Sequence, residues 1–101
     1  MHLSDDEAVE IAEIFRLLGD PTRLRVVVSC LDEPRSVGDI AQSIGATPSL
    51  VSHHLRLLKA LRLVRADRRG RNVYYQAEDD HVRCVIRDLR DHVGEQRPEE
   101  D

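Results

Sequence analysis

The chain has 101 residues, with 15 Lys and Arg against 19 Asp and Glu and a formal charge of −4, a sum that weighs against a polyanionic partner. One compact domain fits this length, with a core small enough that oligomerisation would support it, and 41% hydrophobic with 34% charged residues excludes a low-complexity or disordered chain. No apolar run approaches the ~18 residues of a membrane span, and Met1-His2-Leu3-Ser4-Asp5-Asp6 lacks the basic and apolar regions of a signal peptide, so a cytoplasmic protein with no membrane contact is expected.

Ser4-x-x-Glu7 is a capping box, and Val9, Ile11, Ala12, Ile14, Phe15 and Leu18 recur at helical spacing up to Gly19. Asp20-Pro21 supplies an N-cap and a first-turn proline for a second helix through Leu24, Val27, Val28 and Leu31, which stops before Pro34. Ser36-x-x-Asp39 opens a third, short helix with Ile40, Ala41 and Ile44 on one side, ended by Gly45. Thr47-Pro48 repeats the cap-plus-proline start. A fourth helix is expected from Pro48 to about Leu61, with Val51, Leu55 and Leu58 as its buried stripe and Leu50, Leu57 and Leu61 beside them.

Two helices joined by a turn of three or four residues, the second amphipathic and followed by basic residues, are the makings of a helix-turn-helix. Leu63-Val64-Arg65-Ala66 and Asn72-Val73-Tyr74-Tyr75-Gln76 then read as strands of a hairpin, a wing whose basic tip is Asp67-Arg68-Arg69-Gly70-Arg71. Tyr74 and Tyr75 are expected to pack the wing. From Asp79 a fifth helix follows, with Val82, Val85, Ile86, Leu89 and Val93 as its stripe, before the polar segment Arg97 to Asp101. The expectation is a mainly α chain with a small β-hairpin: one winged helix-turn-helix domain over residues 1–101, dimeric through its terminal helices.

The charge is segregated. Residues 1–50 hold 4 basic and 9 acidic groups, residues 51–75 hold 7 and 1, and residues 76–101 hold 4 and 9. The middle block is a local footprint for a polyanion. On the fourth helix Ser49, Ser52, His53 and Arg56 fall at i, i+3, i+4 and i+7, opposite the Val51/Leu55/Leu58 stripe. Hydroxyls bond base or phosphate, and an arginine forks onto guanine O6 and N7 in the major groove. Arg68, Arg69 and Arg71 suit backbone phosphate or a narrow minor groove, which gives salt-sensitive affinity rather than sequence choice.

A second constellation is Asp79-x-His81 followed by His92-x-x-Glu95. At about 100° per residue His92 lies about 20° from His81 around the helix and Glu95 about 40° to the other side. Asp79 and His92 stand about 20 Å apart along a helix axis, whereas zinc ligands lie within about 2.2 Å of the ion, so one chain cannot close the site. An antiparallel copy of the helix, paired about a two-fold axis near Arg87, brings Asp79 and His81 to His92 and Glu95 of the other chain. Two carboxylate oxygens and two imidazole nitrogens suit tetrahedral Zn2+; Co2+ can substitute, and Ni2+, which prefers more ligands, fits less well. Cys30 and Cys84 form no Cys-x-x-Cys pair, so neither a disulfide framework nor a zinc ribbon is indicated. They leave open a thiol-responsive regulator of the same fold. A winged helix used for protein contacts is a further alternative. An enzyme is not indicated, since no nucleophile–base pair or phosphate loop is present.

Together these residues resemble the bacterial ArsR/SmtB metalloregulators. The resemblance rests on Leu18-Gly19-Asp20-Pro21-Thr22-Arg23-Leu24-Arg25, Ser36-Val37-Gly38-Asp39-Ile40-Ala41, Ser49-x-x-Ser52-His53-His54-Leu55-Arg56-x-Leu58 and Gly70-Arg71-x-x-Tyr74-Tyr75. It implies a winged-helix homodimer that represses metal-resistance genes, with metal-free protein on double-stranded operator DNA and metal-bound protein released from it. The pattern Asp79, His81, His92, Glu95 is similar to the family's zinc-sensing last helix. The resemblance also points to a main-chain carbonyl near Arg62 as acceptor for the second ring N–H of His92. Relatives with a thiolate-rich site on the third helix carry a cysteine where this chain has Ser36, so that site is not implied.

Overall fold

Each of the first four helices starts at a side-chain cap. Ser4 and Glu7 exchange both bonds of the capping box, Ser4 N to Glu7 Oε1 at 2.9 Å and Glu7 N to Ser4 Oγ at 3.1 Å. Asp20, Ser36 and Thr47 accept from the main-chain N–H groups of Arg23, Asp39 and Leu50. The computed structural model describes residues 1–96, so the expected polar segment from Arg97 lies outside the described residues. Its elements are α1 (Asp5–Leu18), α2 (Pro21–Ser29), β1 (Arg35–Ser36), α3 (Val37–Ile44), α4 (Pro48–Ala60), β2 (Val64–Arg69), β3 (Asn72–Ala77) and α5 (Asp80–Gln96).

The core lies among α2, α3, α4 and the base of the sheet, where Val26, Val27, Ile40, Val51, Leu55 and Leu58 are buried. Burying each aliphatic side chain of this kind contributes about 1.5–3 kcal/mol, which fixes the helix-turn-helix as the rigid centre of the molecule. The sheet is antiparallel and three-stranded in the order β1-β3-β2. Strand β1 was not legible in the sequence. Two residues carry no periodicity, and they pair with β3 as Arg35↔Tyr75 and Ser36↔Tyr74. Ser36 thereby serves both as sheet residue and as N-cap of α3, which locks the wing to the helix-turn-helix.

The hairpin is tighter than the sequence suggests. Pairing continues to Arg69↔Asn72, so Asp67, Arg68 and Arg69 belong to β2 and the turn is Gly70-Arg71 alone. Gly70 has φ +64°, the requirement of a two-residue turn with glycine first. Tyr74 and Tyr75 are half-buried, and Arg69 lies 5.4 Å over the Tyr74 ring.

Several residues of the expected apolar stripes are exposed. Val9, Ile11 and Phe15 of α1, Leu24 and Val28 of α2, and Val85, Leu89 and Val93 of α5 face outward, as does Leu50 at the start of α4. Periodicity marks a face as apolar but not what covers it. Leu17, which the α1 pattern omitted, is that helix's buried contact. Helix α5 touches the body through half-buried Val82 and buried Ile86, and polar ties fix its direction: Arg83 Nε donates to Leu31 O at 3.0 Å and Arg87 pairs with Asp32.

At the end of α4, Arg62 has φ +58°, while Leu63 N donates to Leu58 O at 2.9 Å and Arg62 N to Lys59 O at 3.0 Å. These are the two bonds of a Schellman cap, whose left-handed position favours glycine. Arg62→Gly is expected to raise stability by about 0.5–1 kcal/mol in chemical denaturation, because the steric cost of a Cβ at positive φ disappears. A destabilised variant would mean that the arginine side chain makes a stronger contact than the cap alone provides.

Candidate nucleic-acid interface and metal-binding helix

The turn from α3 to α4 depends on Gly45 at φ +69°, with Ala46 N donating to Ala41 O at 3.0 Å. A left-handed residue there reverses the chain within Gly45-Ala46-Thr47 and aims the N-terminus of α4 outward. Ser49, His53 and Arg56 are exposed and Ser52 is partly so. The four share the side of α4 away from buried Val51, Leu55 and Leu58, as their spacing predicts. All seven basic residues from Arg56 to Arg71 are exposed, and among the described residues their charges form no ion pair. Arg68 and Arg69 stand on β2 and Arg71 in the turn, so the wing carries its cations along an edge strand rather than only at a tip.

The opposite side of α4 holds His54, which has no role in the sequence pattern beyond its place in the family motif. His54 is buried, its ring centroid 5.6 Å from that of exposed His53. Its place was readable: it lies three residues after Val51 and four before Leu58, on the inward stripe. Burial, then the neighbouring Arg23 guanidinium, pushes its pKa below the ordinary imidazole value and favours the neutral ring.

Asp79, His81, His92 and Glu95 are all exposed. Asp79 stands just before α5 as its N-terminal cap, Oδ1 accepting from Val82 N at 3.0 Å and leaving Oδ2 outside that bond. His81, His92 and Glu95 form a stripe that borders the exposed Val85/Leu89/Val93 seam about the helix axis. Among the described residues no three His, Cys, Asp or Glu side chains come together within the chain. The donor set fits a divalent cation of borderline softness, with carboxylate and imidazole groups exposed on one helix and at its N-terminal cap beside an uncovered apolar strip.

The thiols differ in character. Cys30 is fully buried with its Sγ toward Val26 O and Val27 O at 3.6 Å, and burial pushes its pKa up to about 11. A thiol so held stays protonated at neutral pH and is a poor nucleophile. Cys84 is exposed on α5.

The model of the family described as "Bacterial regulatory protein, arsR family" matches residues 20–66, the segment from the α2 cap to the first half of β2. The Transcriptional repressor SmtB homolog of Synechocystis sp. is 42% identical over 93 residues, which cover 92% of this chain and 70% of that protein. The chain belongs to the ArsR/SmtB family. The HTH-type transcriptional regulator NmtR of Mycobacterium tuberculosis is 39% identical over 84 residues, 83% of this chain and 70% of its own length. The solution structure of apo-NmtR superposes with a TM-score of 0.80 at 32% identity, covering all of this chain and 85% of that one. Mb0332 of Mycobacterium bovis, described as a homodimeric winged helix-turn-helix DNA-binding domain, superposes with a TM-score of 0.84 at 24% identity over 100% of this chain and 96% of its own. This ArsR/SmtB chain is thus a winged helix-turn-helix transcriptional repressor of a metal-sensing family and not an enzyme. No helix among its described residues is long and apolar enough to cross a membrane.

Proposed function

We propose that the chain is a zinc-responsive repressor, cytoplasmic and homodimeric through α1 and α5, which leaves its operator when Asp79 and His81 of one protomer and His92 and Glu95 of the other take up Zn2+. The observation that carries this reading is the placement, on one exposed helix and at its N-terminal cap, of four side chains able to ligate a metal, alongside an apolar strip that a second copy would cover. Once bound, the cation supplies a cross-link between the two copies of α5. In holding the cation through one ring nitrogen, His92 would keep its other N–H for an acceptor, for which the family resemblance points to a main-chain carbonyl near Arg62 at the end of α4. That bond ties sensor helix to reading helix and favours a dimer in which the two reading faces no longer match the operator. By linkage, operator DNA weakens metal binding by the same factor. The genes released are those of metal efflux or sequestration. The test is a titration of the metal-free dimer–operator complex with Zn2+, Co2+ and Ni2+ in parallel; failure of Zn2+ to release DNA overturns the zinc assignment.

On the DNA side, Ser49, Ser52, His53 and Arg56 read base edges and Arg68, Arg69 and Arg71 hold the backbone. Arg56→Ala is expected to cost about 1–3 kcal/mol on operator and to relax discrimination at one base pair. Each wing arginine changed to alanine is expected to weaken operator and unrelated duplexes alike and to lower the slope of log K against log salt by about 1. Fluorescence anisotropy at several salt concentrations separates the two patterns, and a uniform loss for Arg56→Ala would remove it from base reading. The flanking acidic segments make the overall affinity modest, and the phosphate contacts of the basic segment make it steeply salt-dependent.

A further inference from the structure

A polar contact lies on the inner side of α4, beside its buried apolar stripe. Arg23, in the first turn of α2, donates its Nε–H to Nδ1 of His54 at 3.3 Å and its Nη1–H to the main-chain oxygen of Leu17 at 2.9 Å. The Arg23 main-chain N–H is itself held by Asp20 Oδ1 at 3.1 Å. One guanidinium therefore joins the last turn of α1, the start of α2 and the middle of α4. Arginine only donates, so Nδ1 must be bare and the ring proton must sit on Nε2. The charged and titratable groups acting on His54 are Arg23 of α2, Asp20 at its cap and the adjacent His53 of α4, and with burial they leave the neutral ring favoured. His54 directly follows His53 and precedes Arg56 by two residues, so a turn of α4 about its axis moves both exposed side chains together.

We propose that Arg23 and His54 are positioning residues for operator reading, fixing the base-facing side of α4 to the C-terminal end of α1, so that the geometry of the α1 dimer face sets the aim of the reading helix. This rests on the DNA face assigned above. A leucine at position 54 would fill the same inward space and leave the Arg23 Nε–H without its acceptor, whereas glutamine offers a side-chain carbonyl in its place.

The test uses the full chain and two duplexes, one selected by the wild-type protein from a randomised pool and one with that sequence scrambled. His54→Leu is expected to lose about tenfold or more on the selected duplex and less than about twofold on the scrambled one, with dimer mass unchanged, and His54→Gln to recover most of the loss. Equal losses on both duplexes, or no loss on either, overturn the proposal. A second measurement needs no variant. The imidazole 15N shifts of His54 in the wild-type protein should report an Nε2–H tautomer, and an Nδ1–H ring overturns the relay. Wild-type protein that selects no duplex would overturn the DNA face instead, with the tautomer still deciding the relay.

Discussion

His92→Ala is expected to leave metal-free operator affinity within about twofold of wild type and to abolish release by Zn2+. The side chain is exposed on α5 and not on α4, whose outward side is proposed to face DNA, so its removal should take nothing from that contact. It would remove one of the four proposed ligands and the proposed bond from the second ring nitrogen. Allosteric coupling between two sites is typically about 1–3 kcal/mol, or about 5–150-fold in affinity, and the variant should bring that ratio close to one. His81→Ala should behave alike. Asp79→Asn gives a sharper control, because asparagine caps a helix as well as aspartate while coordinating metal far less well. If zinc response is lost in Asp79→Asn while helicity by circular dichroism is unchanged, the carboxylate acts as a ligand and not merely through the Val82 cap. Zinc-induced release that persists in His92→Ala would move the sensing site elsewhere.

The second large effect is expected at the apolar face shared by α1, α2 and α5. Phe15 is 58% exposed, Val28 49%, Leu89 49% and Val93 48%, and they line an open groove of about 610 Å³. A chain of this size does not leave such a strip to water without a use for it, and a self-complementary patch closes through a two-fold axis. Leu89→Asp would bury two unpaired carboxylates across that axis. Burying a charge without its partner costs about 3–5 kcal/mol, which raises the dimer dissociation constant by at least about 100-fold. Sedimentation equilibrium should find a folded monomer at micromolar concentration. Because the proposed ligands come from two chains, zinc affinity should fall with the dimer, and operator affinity with it. A Leu89→Asp protein that remains dimeric and zinc-responsive would exclude α5 from the seam.

The local features of this molecule were legible in the sequence, and the ones that depend on long-range partners were not. Ser4, Asp20, Ser36 and Thr47 announce helix starts because a cap is made by residues two or three positions away. The outward side of α4 is readable because helical spacing assigns Ser49, Ser52, His53 and Arg56 to one face once Val51, Leu55 and Leu58 are taken as the other. Leu50, Phe15 and Leu89 show the limit of the same pattern, since an apolar residue at helical spacing meets either the core or an uncovered face. The Arg23–His54 contact joins residues 31 positions apart through three helices. No local pattern encodes it, although the inward register of His54 was a hint.

The position of β2 at the edge of the sheet has a consequence for handling the protein. An edge strand offers unpaired main-chain groups to the edge of another copy, and a row of cationic side chains is one means of keeping two such edges apart. Arg65, Arg68 and Arg69 lie along that edge with Asp67 alone among them. Arg68 and Arg69, proposed for phosphate contact, would therefore also help to keep such edges apart. Neutralising several of them at once should show as light scattering and concentration-dependent precipitation before any change in operator affinity is read, and DNA itself, by occupying the wing, would act as a solubilising partner.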